Sequence, residues 1–222
     1  MNASVGGKSR RTASRVFGAV AAVVLLSVSV AVLLSVLAVN AQGGSFTDTR
    51  DGKTYRTVKI GDQTWMAENL NYKTGSSVCY GNKERNCRKY GRLYDWDDAM
   101  KACPAGWHLP SDEEWTMLTD FVGGEETAGT KLKSKTRWST DKGYKAVTDD
   151  YGFSALPGGY GGSDGSFVNA GYGGGWWSAT EYGAIVAWYW GMYYSYEILG
   201  RNFNGKSGLF SLRCSQDSAV PQ

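Results

Sequence analysis

The chain has 222 residues, 42% of them hydrophobic and 20% charged, which suffices for one well-filled globular domain and not for two large ones. Thirty glycines and 14% aromatics against four prolines suit a loop-rich domain with an aromatic core. The formal charge of +3 comes from the N-terminal segment alone, so it gives no footprint for DNA or RNA.

Residues 1–41 form a leader. Lys8, Arg10, Arg11 and Arg15 precede an uncharged run from Val16 to Val39, and Val39-Asn40-Ala41 places small residues at cleavage-site positions. The run is longer than a usual signal core and long enough to span a bilayer, so it reads either as a cleaved signal or as an N-terminal hydrophobic helix that anchors the chain through residues 16–39. The basic side stays cytoplasmic and the domain goes out, to the cell surface or the periplasmic side. The leader carries four of the 24 basic residues and none of the 21 acidic ones, leaving 20 against 21 in the exported part. No basic stripe remains there for nucleic acid.

Four cysteines, Cys79, Cys87, Cys103 and Cys214, follow the leader. In an oxidising compartment an even count reads as a disulfide framework with three connectivities open. The short polar loop between Cys79 and Cys87 favours local closure. Cys103 would then pair with Cys214, closing a loop worth roughly 4 to 5 kcal/mol in chain entropy. Zinc is excluded by ligand spacing and by a single histidine.

The domain opens near Phe46, after a short linker at 42–45. Alternation over Tyr55 to Ile60, a turn at Gly61-Asp62 and resumption through Trp65 predict a hairpin. Asp95 as N-cap, with Trp96, Ala99, Met100 and Cys103 at helical spacing, predicts a short helix that Pro104 and Gly106 end. In "CPAGWHLPSDEEWTML", Ser111 and Glu114 have capping-box spacing, Asp112 and Glu113 suit the helix dipole, and Trp115, Leu118 and Val122 follow at helical spacing up to Gly123-Gly124. The carboxylates therefore have structural work, and His108, in an apolar turn, reads as a satisfied, partly buried imidazole.

Ala155 to Gly183 is too rich in glycine for a helix and too aromatic for a linker, so it reads as an ordered loop. "IVAWYWGMYYSYEIL" alternates Val186, Trp188, Trp190, Met192, Tyr194 and Tyr196 on one face, at a length that implies a hairpin or bend. Phe210, Leu212 and Cys214 share a face of the last strand. No nucleophile elbow or phosphate loop occurs.

The strings "DGKTYRTVKIGDQTWMAENLNY", "YGRLYDWDDAM", "CPAGWHLPSDEEWTML", "GFSALPGGY", "GGWWSATE" and "SLRC" resemble, in order, the Fibrobacter succinogenes major paralogous domain over residues 46–215, leaving 216–222 as a tail. That family is similar in turn to the C-type lectin-like superfamily. The resemblance implies an α+β domain with paired terminal strands, two short helices, small antiparallel sheets and a long Gly/aromatic-rich loop region. It implies no particular activity. The calcium motifs of sugar-binding C-type lectins are missing, since the comparable position reads Trp177-Ser178-Ala179-Thr180-Glu181. The paired late cysteines of formylglycine-generating enzymes are missing too.

The expected function is non-catalytic recognition of a polysaccharide or cell-surface protein, with Tyr160, Tyr172, Trp176, Trp177 and Glu181 as ligand contacts and without a resident cofactor or metal. A calcium ion among Asp164, Asn169 and nearby carbonyls is left open. The alternatives are a structural or adhesive envelope component, and a divergent formylglycine-generating-like enzyme or a hydrolase using Asp149, Asp150 or Glu181.

Overall fold

A computed structural model describes residues 43–218; the expected leader, read as a signal or an anchor, lies outside them. Among the described residues no helix is long and apolar enough to cross a membrane. The first strand, β1 (Gly43–Thr47), pairs antiparallel with β2 (Thr54–Ile60), so Gly43 to Ser45 already lie in the sheet. The expected hairpin is β2 and β3 (Gln63–Met66), turning at Gly61, whose φ is 60°. Positive φ there is why glycine sits at the turn.

Four short helices follow, not two. The first two are α1 (Glu84–Tyr90) and α2 (Trp96–Ala102); after the two-residue strand β4 (Trp107–His108) come α3 (Asp112–Phe121) and α4 (Glu125–Leu132). The two predicted helices, α2 and α3, have side-chain caps: Asp95 accepts from the Asp98 amide, and Ser111 with Glu114 forms the full capping box. The unpredicted pair lack such caps, starting from Lys83 and Gly124. The disulfide Cys79–Cys87 and the Asn86 side chain, donating to the Tyr80 carbonyl at 2.8 Å, close α1 in place of a cap. Close tertiary contact holds α4. A Cβ on Gly129 would lie 2.4 Å from the Ile198 carbonyl oxygen.

The glycine-rich half contains more strand than the expected loop. It holds the small pair β5 (Tyr160–Gly161) and β6 (Phe167–Val168), and a three-stranded antiparallel sheet of β7 (Gly173–Gly183), β8 (Val186–Tyr193) and β9 (Gly200–Gly205). The last strand, β10 (Ser215–Gln216), inserts between β3 and β4 to give the order β1-β2-β3-β10-β4. Residues 215–217 thus belong to the folded domain. Cys103–Cys214, bonded across a sequence separation of 111, ties the end of α2 to this strand.

Two aromatic clusters fill the interior. In one, Trp115 of α3 lies 4.8 Å from Trp65 and 6.3 Å from both Trp176 and Trp190, joining the larger sheet to the three-stranded one. In the other, Phe210 lies 4.7 Å from Trp177 and 4.4 Å from Tyr189. Each buried ring removes about 150–250 Å² from water, so a few rings do the work of many aliphatics. The architecture is α+β, with small antiparallel sheets.

Candidate functional site

The three-stranded sheet carries a row of glycines directly in register: Gly175 on β7 faces Gly191 on β8, which faces Gly200 on β9. Their missing side chains would share one face with Tyr189 and Tyr193, because period-two residues alternate faces. The three positions are not equivalent. A Cβ on Gly175 would stand 2.6 Å from the Phe210 ring, so that glycine admits a core residue. At Gly191 the nearest atom would be 3.4 Å away, and at Gly200 3.6 Å. At these two positions the bare backbone forms the floor of an open trough.

The trough has a volume of about 460 Å³ and is walled by Tyr160, Tyr189, Tyr193 and Tyr196, with Asn169 and Asn202 supplying amides. Such a size suits a small ligand or one or two sugar rings. Tyr160 stacks on Phe210 at 5.6 Å and accepts from the Asn169 amide at 3.0 Å. Burial raises the Tyr189 phenol pKa, with the nearby Tyr160 adding to the effect, so it stays a neutral hydroxyl at physiological pH. Tyr196 is 58% exposed, the most open of the walls.

The turn after β8 that carries Tyr193 and Tyr196 is fixed from beneath. Lys133, only 1% exposed, donates from Nζ to the carbonyls of Tyr193 at 2.6 Å and Tyr196 at 2.5 Å. Burial pushes its pKa down to about 8, against the attraction of Glu197. Thr130 donates its amide to Glu197 at 3.1 Å, and the close approach at Gly129 completes the clamp. The tyrosine walls are thus held by a rigid helix end, which limits the entropy lost on binding.

The five expected contact residues divide. Tyr160 lines the trough. Tyr172 is exposed beside it in sequence, donating to Asp141 at 2.7 Å and packing edge-on to Tyr194 at 5.3 Å. Trp176 and Trp177 are fully buried and are not surface contacts. Their indoles donate to Asn69 Oδ1 and to the Tyr94 carbonyl, each at 2.9 Å, so both their rings and their polar handles serve the core. Glu181 is exposed but pairs with Lys206 at 2.6 Å, away from the trough. Asp164 accepts from the Ser166 amide at 3.0 Å in its own turn, while Asn169 is bonded to Tyr160. Among the described residues, the one group of three potential metal ligands is Cys79, Glu84 and Cys87, and its sulfurs form a disulfide.

Local spacing does not single out Tyr189, Tyr193, Gly191 and Gly200. Their signal was the same alternation that marked Trp188 and Trp190, read on the opposite face. Trp188 is half-buried and not core. Arg201 covers its ring at 3.7 Å, and the stacked pair Tyr182 and Phe203, 4.4 Å apart, sits beside it.

His108 has more partners than local spacing showed. Nε2 lies 2.7 Å from Glu114 and Nδ1 2.6 Å from Asp217. Partial burial disfavours the imidazolium, but the bonds to Asp217 and Glu114 outweigh it and raise the pKa. Both ring nitrogens are committed.

No curated protein and no solved structure matches the chain. The model of the Fibrobacter succinogenes major domain matches residues 58–216, from the middle of β2 to the end of β10, and therefore spans both disulfides and every wall of the trough. That match covers most of the chain, which belongs to the Fibrobacter succinogenes major domain family.

Proposed function

We propose that the chain is an exported, non-catalytic recognition domain that binds a carbohydrate in the tyrosine-walled trough. The carrying observation is the in-register glycine row, which bares backbone between rigid tyrosines. Tyrosine rings stack on the apolar faces of pyranoses, and their hydroxyls, with Asn169 and Asn202, suit sugar hydroxyls. The two disulfides fit an oxidising compartment, which supports export to the cell surface or periplasmic side, whether the chain is anchored or released. The expected pairing of the terminal strands with each other is replaced by a shared sheet, in which β10 lies between β3 and β4 while β1 pairs with β2; that one sheet gathers both ends of the domain supports a C-type lectin-like reading. Calcium is not needed for contact through rings, hydroxyls and amides.

The absence of catalysis is supported by His108, whose two nitrogens are taken by Glu114 and Asp217, so neither faces a nucleophile. All cysteines in the described domain are disulfide-bonded, which disfavours thiol-based metal chemistry of the formylglycine-generating kind. A structural or adhesive role is favoured by one observation, the exposed group of Tyr182, Ile185 and Phe203, with Ile185 79% exposed. A glycan array probed with the full chain and with Tyr193→Ala and Tyr196→Ala separates the readings. Glycan binding weakened at least ten-fold by either variant is expected; no glycan binding, with self-association instead, would favour the adhesive role.

A further inference from the structure

A second cleft, of about 550 Å³, lies between β2, α1 and the segment following α4. Six cationic side chains line it: Lys53, Arg56, Arg88, Lys89, Lys135 and Arg137. Two carboxylates, Glu68 and Asp149, oppose them, and both are engaged. Glu68 accepts the Arg56 amide at 2.8 Å, and Asp149 accepts the Ser154 amide at 2.9 Å and hydroxyl at 2.6 Å. Lys53 pairs with Asp51, and Arg56 lies 3.9 Å from Glu68. Arg88, Lys89, Lys135 and Arg137 make no ion pair among the described residues. In a domain whose basic and acidic residues nearly balance, this concentration is local and focused by the concave surface.

The cleft floor adds to the field. Asn69 and Ser154, both in the lining, are held by Arg213, whose guanidinium donates to the Asn69 side chain at 2.9 Å and the Ser154 carbonyl at 3.1 Å. Arg213 is fully buried and its partners are carbonyls and an amide, with no carboxylate in ion-pair range. A buried cation without a counter-ion attracts anions to the surface above it. The backbone is also unusual here. Among the described residues five non-glycines have positive φ, and three of them, Arg137 at 78°, Asp149 at 47° and Ser154 at 52°, line this cleft. Left-handed conformations of this kind persist where surrounding structure holds a side chain in a particular direction.

We propose that this cleft binds an acidic oligosaccharide through its carboxylate or sulfate groups. The three arginines offer planar forks that match such oxyanions bidentately. Thr54, Asn71 and Thr136 add hydroxyls and an amide suited to sugar hydroxyls. The ring in the lining, Tyr55, is buried and its hydroxyl accepts from the Asn71 backbone N–H, so the cleft offers no platform on which a nucleobase would stack. The disulfide Cys79–Cys87 holds α1, so the backbone that presents Arg88 and Lys89 to the cleft is fixed.

The test is calorimetric titration of the full chain with oligogalacturonate, a heparin-derived oligosaccharide, a neutral cello-oligosaccharide, polyphosphate and a single-stranded oligonucleotide. At least one acidic oligosaccharide binds, and the carboxylate and sulfate arms identify which oxyanion is recognised. Its affinity falls about ten-fold on going from low to physiological salt, and at least ten-fold in the double variant Arg88→Gln/Arg137→Gln. Both positions are exposed and free of ion pairs, so that variant keeps its circular dichroism spectrum; Lys135→Gln, a milder change, lowers affinity about three-fold. The trough variant Tyr196→Ala leaves this affinity unchanged, which separates the cleft from the proposed carbohydrate site on the sheet. Failure of both acidic oligosaccharides to bind, wild-type affinity in the folded double variant, or equal binding of polyphosphate or the oligonucleotide would overturn the proposal.

Discussion

Alanine placed at each glycine of the row Gly175, Gly191, Gly200 should destabilise the domain on β7 and stabilise it on β8 and β9. At Gly191 the added methyl would meet the Tyr189 ring at 3.4 Å and the Gly174 carbonyl at 3.6 Å, and at Gly200 it would meet Ile198 at 3.6 Å. These are ordinary contacts. Neither glycine has positive φ, so alanine fits the backbone and removes the excess freedom of the unfolded chain, a gain of about 0.5–1 kcal/mol. At Gly175 the methyl would stand 2.6 Å from one Phe210 ring carbon and 2.9 Å from another, inside a packed cluster, and overpacking of that kind costs about 1–3 kcal/mol. A domain of this size shifts by about 2–4 °C per kcal/mol. Melting temperature should therefore rise by about 1–4 °C in Gly191→Ala and Gly200→Ala and fall by about 2–12 °C in Gly175→Ala. Scanning fluorimetry measures the shifts, and the array of the wild type measures binding. Gly200→Val, which carries two more carbons into the trough, should fold and lose at least ten-fold in glycan affinity. Equal destabilisation at all three positions would show that the trough is not empty space, and undiminished binding by folded Gly200→Val would place the ligand elsewhere.

Other variants probe the clamp, the staple and the histidine. Lys133→Met keeps the volume of the buried side chain but drops the two bonds to Tyr193 and Tyr196; hydrogen exchange across residues 193–199 should accelerate, with the sheet core unchanged. Cys103→Ser/Cys214→Ser removes the long disulfide and should cost about 2–5 kcal/mol by chemical denaturation, whereas an unchanged midpoint would show that the staple is redundant. His108 has a folded pKa above its unfolded value, so its contribution is fully present below the unfolded pKa near 6.5 and is lost as pH rises through the folded pKa. The melting-temperature difference between wild type and His108→Gln should therefore be larger at pH 6 than at pH 9. The reverse order would mean that the imidazole is held neutral.

Elements with local reasons were legible in the sequence. The β2–β3 hairpin follows from alternation and a turn glycine, and α2 and α3 follow from their caps, Asp95 and Ser111 with Glu114. The disulfide pairing followed from loop length. What could not be read depends on distant partners. Helix α4 contains an internal glycine and starts from Gly124 without a side-chain cap, and it is held against the carbonyls of Glu197 and Ile198, far along the chain. Trp176 and Trp177 stand among glycines, which suggested an open surface. Those glycines are there because the Leu156 carbonyl, the Trp176 ring and Phe210 press on β7 within 2.7 Å of where side chains would begin. In the same sheet, glycine marks a buried close approach on β7 and a half-buried floor with room above it on β8 and β9, and only the cross-strand register tells the two apart.

The same dependence explains why Lys133 and Arg213 sit in the core of a domain that has so few aliphatics. Each replaces a missing ladder: Lys133 collects the carbonyls of the turn after β8, and Arg213 collects those of Phe153 and Ser154 together with the Asn69 side chain. Irregular backbone leaves carbonyls without partners, and an unpartnered buried carbonyl costs about 1–3 kcal/mol. A long cation reaches several at once, which lets loops be rigid without becoming strands. Both cations underlie a proposed binding surface, Lys133 beneath the trough wall and Arg213 beneath the cationic cleft. Arg213→Met should separate structure from charge. Burial lowers the Arg213 pKa only to about 9, so the guanidinium is charged at neutral pH, and its loss leaves the Phe153 and Ser154 carbonyls unpartnered. Melting temperature should fall, and among folded molecules at low temperature affinity for an acidic oligosaccharide should fall as well, while glycan binding in the trough persists. Persistence of both affinities in the folded variant would refute a role for the buried charge in the cleft.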